Sequence, residues 1–203
     1  TDRAIADYTQ AIRINPNYAS AYECRGNEYI IKGEYDQAIT EFTQAIRIAP
    51  NSATLYTSRG CAYWCKGDYD RAITEFIQAI RINPNYNRAY YNRGLAYASK
   101  GEIDKSISDY TQAIRINPNY AAAYYNRGRA YSRKYDYDKA ITDFTQAIRI
   151  NPKAYIYYHR GDTYYMKKDY DRAIMDYEAV LKINPNDTNA KQWLESAKQA
   201  RGR

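Results

Sequence analysis

The chain is poor in the residues from which reactive sites are built. Among 203 residues there is one histidine, His159, and there are three cysteines, Cys24, Cys61 and Cys65. Acid–base catalysis needs a positioned partner beside the histidine, and no motif supplies one. An odd number of cysteines makes no disulfide framework and favours a reducing, cytoplasmic setting. Three thiols can hold a soft metal. Cys61 and Cys65 share one helix face, but no clear fourth ligand accompanies them, so we expect no metal and no cofactor. A glycine-rich phosphate loop is missing too, because every glycine except Gly202 falls at a packing or turn position. No apolar run approaches the roughly 20 residues of a membrane span. No segment reads as a secretory signal. Catalysis, phosphate chemistry and membrane insertion therefore drop out. What the chain does hold is tyrosine, 26 residues of it, and a net charge of +7.

Proline supplies a ruler. Pro16, Pro50, Pro84, Pro118 and Pro152 are evenly spaced at 34 residues, and Pro185 follows one residue early. Each closes the phrase Ala-Ile-Arg-Ile-Asn-Pro or a near copy. A short fixed period marks an array rather than a globule with one central core. Residues 19–52 show the unit. Tyr22, Gly26 and Tyr29 fall at helical spacing. Lys32-Gly33 breaks that helix, with glycine suited to a left-handed cap. Glu34-Tyr35-Asp36 opens a second helix, acidic residues being favourable near its start. Ala38, Ile39, Phe42, Ala45 and Ile46 form its apolar stripe, and Pro50 stops it.

This pattern resembles the tetratricopeptide repeat (TPR) family, whose motif places an aromatic, Leu, Gly, Tyr, Ala, Phe, Ala and Pro at fixed positions of 34. The first unit here supplies Tyr22, Arg25, Gly26, Tyr29, Ala38, Phe42, Ala45 and Pro50, and four further units repeat the set with Ser106 and Tyr110 in the third and Tyr177 and Val180 in the fifth as departures. Arginine replaces the usual leucine throughout, and its stem can cover apolar surface. The resemblance implies an all-α, right-handed αα-hairpin solenoid, the TPR superhelix. We divide it into a half repeat at 1–18, units at 19–52, 53–86, 87–120, 121–153 and 154–187, and a capping helix at 188–203. It also implies a non-catalytic scaffold that binds an extended peptide or short helix of another protein in a concave groove lined by the first helices.

Copying explains much of the composition. Eleven of the 30 basic residues, Arg25 and Arg13 with their counterparts, occupy repeated positions. Twenty tyrosines fall at positions the fold accounts for. Six do not: Tyr91, Tyr125, Tyr135, Tyr155, Tyr158 and Tyr165. Tyr135 lies in a turn. The family geometry puts the other five in the groove, with Arg88, Asn92, Asn126, Arg129, Arg133 and His159. Tyrosine and arginine carry interface energy out of proportion to their number. The expected ligand is mildly acidic and tolerant of aromatic residues. Asn92 and Asn126 share one repeat position, where an amide can meet a peptide backbone. The carboxylate clamp of chaperone-binding members is not expected, since Glu23 and Ser58 replace its lysine and asparagine.

Three other readings stay open. Single-stranded nucleic acid could stack on the tyrosines, but the groove's surplus of one positive charge is thin for a phosphate track. Residues 1–15 form a second helix without its first, so Ile5, Tyr8 and Ile12 offer a face for further repeats or for self-association. The array could also be the recognition arm of a larger enzyme. At the other end Glu195 and Lys198 give residues 188–201 a polar outer face.

Overall fold

The structure is a computed structural model that describes residues 2–202. It contains twelve helices and, among the described residues, no strand. Two compact units divide between Ile116 and Asn117. The N-terminal unit holds α1 (Asp2–Ile14), α2 (Ala19–Lys32), α3 (Tyr35–Ile48), α4 (Ala53–Cys65), α5 (Tyr69–Ile82), α6 (Asn87–Ser99) and α7 (Ile103–Ile116). The C-terminal unit holds α8 (Ala121–Arg133), α9 (Tyr137–Ile150), α10 (Ala154–Met166), α11 (Tyr170–Ile183) and α12 (Thr188–Arg201). Within each unit every helix packs on its neighbours in sequence.

Local chemistry sets the hairpins. In the N-terminal unit Gly33, Gly67 and Gly101 take φ of 78°, 86° and 82° at the ends of α2, α4 and α6. Glycine adopts this left-handed geometry without steric cost. In the C-terminal unit Tyr135 (φ 61°) and Lys168 (φ 64°) do the same work. A residue with a Cβ pays about 1–2 kcal/mol there. The second helices α5, α9 and α11 start on aspartate caps, as where Asp68 accepts from the Arg71 amide at 3.1 Å. Such a cap satisfies an orphan donor of the first turn.

Close approach of the paired helices depends on one glycine per pair. A Cβ at Gly60 would stand 2.6 Å from Phe76 Cε1, and one at Gly128 would stand 2.9 Å from Phe144 Cε1. The buried residues form separate clusters along the chain. Phe42 joins Ala38 and Ala62, Phe144 joins Ala140, Ala147 and Ile156, and Tyr177 joins Tyr164, Leu194 and Ala197. Stability is therefore a sum over neighbouring interfaces.

The repeated arginines do more than cover apolar surface. Arg25, Arg59, Arg93, Arg127 and Arg160 each donate two-pronged hydrogen bonds to a carboxylate 16 residues on. The acceptors are Glu41, Glu75, Asp109, Asp143 and Asp176, with Nε–O distances of 2.7–3.1 Å. Each guanidinium also lies 5.6–5.8 Å from the ring of the tyrosine three residues before it. Arg25, Arg59 and Arg160 also reach back to a threonine of the preceding second helix, Thr9, Thr43 and Thr145 respectively. Planar two-pronged pairing suits arginine and not lysine. Asp109 raises the Arg93 pKa further above its ordinary value through these bonds. Five framework arginines are thus neutralised inside the fold.

Candidate functional site

In the C-terminal unit α8 and α10 lie side by side. Arg129 and Arg133 stand one turn apart on α8, both exposed. His159, Asp162, Thr163 and Met166 follow along α10. Between these helices opens a cavity of about 350 Å3. Phe144 of α9, 1% exposed, closes it from below. Tyr137 forms a side, and the exposed Tyr135 (79%) and Met166 (57%) flank the opening. Ser132 and Thr163 complete the lining and hydrogen-bond to each other at 3.1 Å across α8 and α10. The walls are mostly carbon, with polar groups at a few points, which is the usual make-up of a ligand pocket.

Aromatic contacts extend the cavity along the same helices. Tyr125 meets Tyr155 edge-on with centroids 4.9 Å apart, and meets His159 at 5.6 Å. His159 in turn meets Tyr158 at 5.8 Å. The Arg129 guanidinium lies 5.7 Å from the Tyr125 ring centroid. Such contacts fix rings without hiding them.

Two titratable groups sit in the cavity. His159 does have an acidic neighbour that the sequence motifs did not reveal: its Nδ1 is 4.0 Å from Asp162 Oδ2. Burial, then the nearby Arg129, hold the His159 pKa below its ordinary value, so the imidazole is neutral at pH 7. Burial pushes the Asp162 carboxyl up to about 6, against the hydrogen bond it accepts from Tyr177 at 2.9 Å. Both hydroxyls of the cavity are engaged: Thr163 Oγ1 donates to the His159 carbonyl at 2.8 Å, which leaves Ser132 Oγ as the donor in the bond the two share.

The sign of the pH effect follows. Asp162 binds its proton more tightly folded (about 6) than unfolded (3.8). Its contribution to stability is complete below the unfolded value and is lost as pH rises through about 6. His159 acts with the opposite sign. The expected result is that Asp162→Asn gains stability over the parent as pH rises from 4 to 7, the gap then levelling off. Urea midpoints measured across that range check it, and a gap that is constant with pH would refute it. Asparagine keeps an acceptor for Tyr177, so the fold survives the change.

The structure brings together Tyr125, Arg129, Arg133, Tyr155, Tyr158 and His159. Other expected residues lie elsewhere. Tyr165 packs on Tyr170 and Trp193, each at 5.4 Å, and so belongs to the seam with α12. The Asn126 amide donates to the Ala122 carbonyl of its own helix at 3.0 Å. Arg88, Tyr91 and Asn92 lie on α6 of the N-terminal unit, where Tyr91 packs on Tyr110 at 5.9 Å. Sequence reasoning counted Asp162 only as a groove charge, set Tyr135 aside in a turn, and missed Met166. The left-handed turn at Tyr135 was the signal available, since glycine stands at that place in three other hairpins.

In the N-terminal unit, Ile5, Tyr8 and Ile12 are half-buried, with α1 packed on α2. Ala4, Tyr8 and Ala11 remain less covered than their counterparts Ala38, Phe42 and Ala45, which are fully buried. Burial pushes the Cys61 thiol up to about 12, which disfavours the thiolate a metal would need. Among the described residues no group of three His, Cys, Asp or Glu side chains could hold a metal ion. No helix among the described residues is long and apolar enough to cross a membrane.

No curated protein sequence matches the chain. Among solved structures it is similar to MamA, with 32% identity and a TM-score of 0.65, covering 72% of this chain and 85% of that one. It is similar in fold to YrrB, described as a TPR protein with an unusual peptide-binding site, with 22% identity and a TM-score of 0.70, covering 91% and 96%. The Cut9–Hcn1 hetero-tetramer of the APC/C is similar in fold, with 22% identity and a TM-score of 0.81. That match covers 97% of this chain, which spans 39% of the chain compared. Profiles described as tetratricopeptide repeat match residues 7–40, 121–153 and 154–187. A profile described as TPR repeat matches residues 26–67, 65–101 and 94–134, more than half the chain, and the protein belongs to the tetratricopeptide repeat family.

Proposed function

We propose that this protein is a non-catalytic scaffold whose C-terminal unit holds an extended peptide of a partner protein along α8 and α10. The observation that carries this reading is the coincidence of the cavity with the residues that repetition leaves unexplained. Arg129, Arg133 and His159 line it, and Tyr125, Tyr155 and Tyr158 continue its aromatic edge. Apart from the exposed Tyr135, packing accounts for the other tyrosines of the unit, so this cluster is the surface that repetition leaves without a structural duty. The peptide-binding site described for YrrB, a protein of like fold, supports the reading by analogy alone. We assign the repeats as five units spanning 19–187, with α1 as a half unit and α12 as a cap.

The test is selection of displayed random dodecapeptides on this chain, followed by titration of the winners. The triple variant Tyr125→Ala, Arg129→Ala, Tyr158→Ala is the comparison, and its helical content and urea midpoint are checked first. Selected peptides are expected to bind the variant at least about tenfold more weakly, since truncated interface anchors typically cost 1–2 kcal/mol or more. Peptides that bind both proteins equally would place the site elsewhere.

A further inference from the structure

We propose that the cavity between α8 and α10 receives one aromatic side chain of a peptide in which that residue is flanked by Asp or Glu. This rests on the peptide-binding reading above and gives it a ligand chemistry. The first support is size and lining. About 350 Å3 is near the small end of the range for ligand pockets, and fits one large side chain better than a cofactor. Phe144, Tyr137 and Tyr135 present ring faces and edges to it, and Met166 adds a polarisable sulfur at the opening. Rings and thioethers both favour an aromatic guest over an aliphatic one.

The second support is charge. Arg129 and Arg133 stand at the rim, and Asp162 lies further in with its carboxyl facing Tyr177. His159 adds no positive charge at neutral pH. The outer rim is therefore cationic and selects carboxylates next to the anchor, while repelling lysine.

The third support is a cost borne by the backbone at this place. Tyr135 holds φ 61°, where the hairpins of the N-terminal unit have Gly33, Gly67 and Gly101. Its side chain is 79% exposed and so buries little in return, meeting Tyr137 edge-on at 6.3 Å. Lys168 carries the same strain at φ 64° away from the cavity, so what sets Tyr135 apart is an unburied aromatic ring held in such a turn at the cavity's opening, and that points to use. Tyr135 stands where it can close over a bound ring.

Three fluorescein-labelled heptapeptides test this by anisotropy: Gly-Ser-Asp-Phe-Glu-Ser-Gly, the same with alanine for the phenylalanine, and the same with lysine for both acids. The first is expected to bind at least roughly tenfold tighter than either of the others. Arg133→Glu should narrow or reverse the preference between the acidic and the lysine peptide. Tyr135→Gly should raise the thermal midpoint and yet weaken the acidic aromatic peptide several-fold, a pairing that a merely structural residue would not show. Equal binding of the three peptides overturns the inference, as does a Tyr135→Gly protein of undiminished affinity. If these peptides fail while display-selected peptides still depend on Tyr125, Arg129 and Tyr158, the aromatic–acidic preference is wrong and the groove reading stands. If selected peptides ignore those three residues, the groove reading itself falls.

Discussion

Arg160→Ala is expected to lower the stability of the C-terminal unit by about 3–5 kcal/mol, the usual cost of removing one partner from a buried ion pair. Asp176 is 4% exposed, and Arg160 is its two-pronged donor at 2.7 and 2.8 Å. Without the guanidinium, a carboxylate is left in a site where burial already pushes its pKa up. The variant also loses the bond to Thr145 on α9 and the contacts with the Tyr157 and Tyr164 rings. The urea midpoint reports the loss. Replacing the whole pair with Arg160→Leu and Asp176→Leu should recover most of it, because an apolar pair of similar volume leaves no buried charge. Equal losses in the single and paired variants would mean that the arginine acts only through its stem. The same pairing recurs in every helix hairpin, so it ties first helix to second helix all along each unit.

Phe144→Ala is expected to cost a similar amount, about 3–5 kcal/mol, as for other buried rings truncated in a core. Phe144 is packed against Gly128 on one side and forms the floor of the cavity on the other. The glycine supplies a sharper test than the size of the loss. In the parent, a methyl at Gly128 collides with the ring at 2.9 Å, so Gly128→Ala should destabilise by about 1–3 kcal/mol. With the ring gone, the same methyl still faces the Ala140 carbonyl oxygen at 3.2 Å but loses the collision with the ring, and it gains helix propensity of about 1 kcal/mol. Gly128→Ala should therefore cost much less in the Phe144→Ala background than in the parent. A double-mutant cycle in thermal midpoints reads this directly, and additive effects would show that the two residues do not touch in solution.

Much of the molecule was legible from spacing. The paired helices, their glycine contacts and the stops at proline follow from residues a few places apart, which one helix turn brings together. The polar face of α12 was legible in the same way, and Glu195 and Lys198 pair on it at 3.1 Å. The arginine at the leucine position was legible only as a departure. Its carboxylate partner recurs 16 residues later, a spacing that no single helix joins, and so the pairing escaped notice. The candidate site was legible in outline. Repetition singled out Tyr125, Arg129, Tyr158 and His159 by subtraction, but it also singled out Tyr165, whose ring is taken by Trp193.

Periodicity thus carried the fold, the family and the choice of surface residues, because helix contacts within a repeat are local and each copy must satisfy the same packing. The three-dimensional arrangement decided the rest. Met166 and Tyr135 are far apart in sequence, and only the packing of α10 against α8 and α9 sets them around one cavity. Asp162 acquires its raised pKa from burial beside Tyr177 of another helix, a desolvation that depends on what surrounds the carboxyl and leaves no trace in its sequence neighbours.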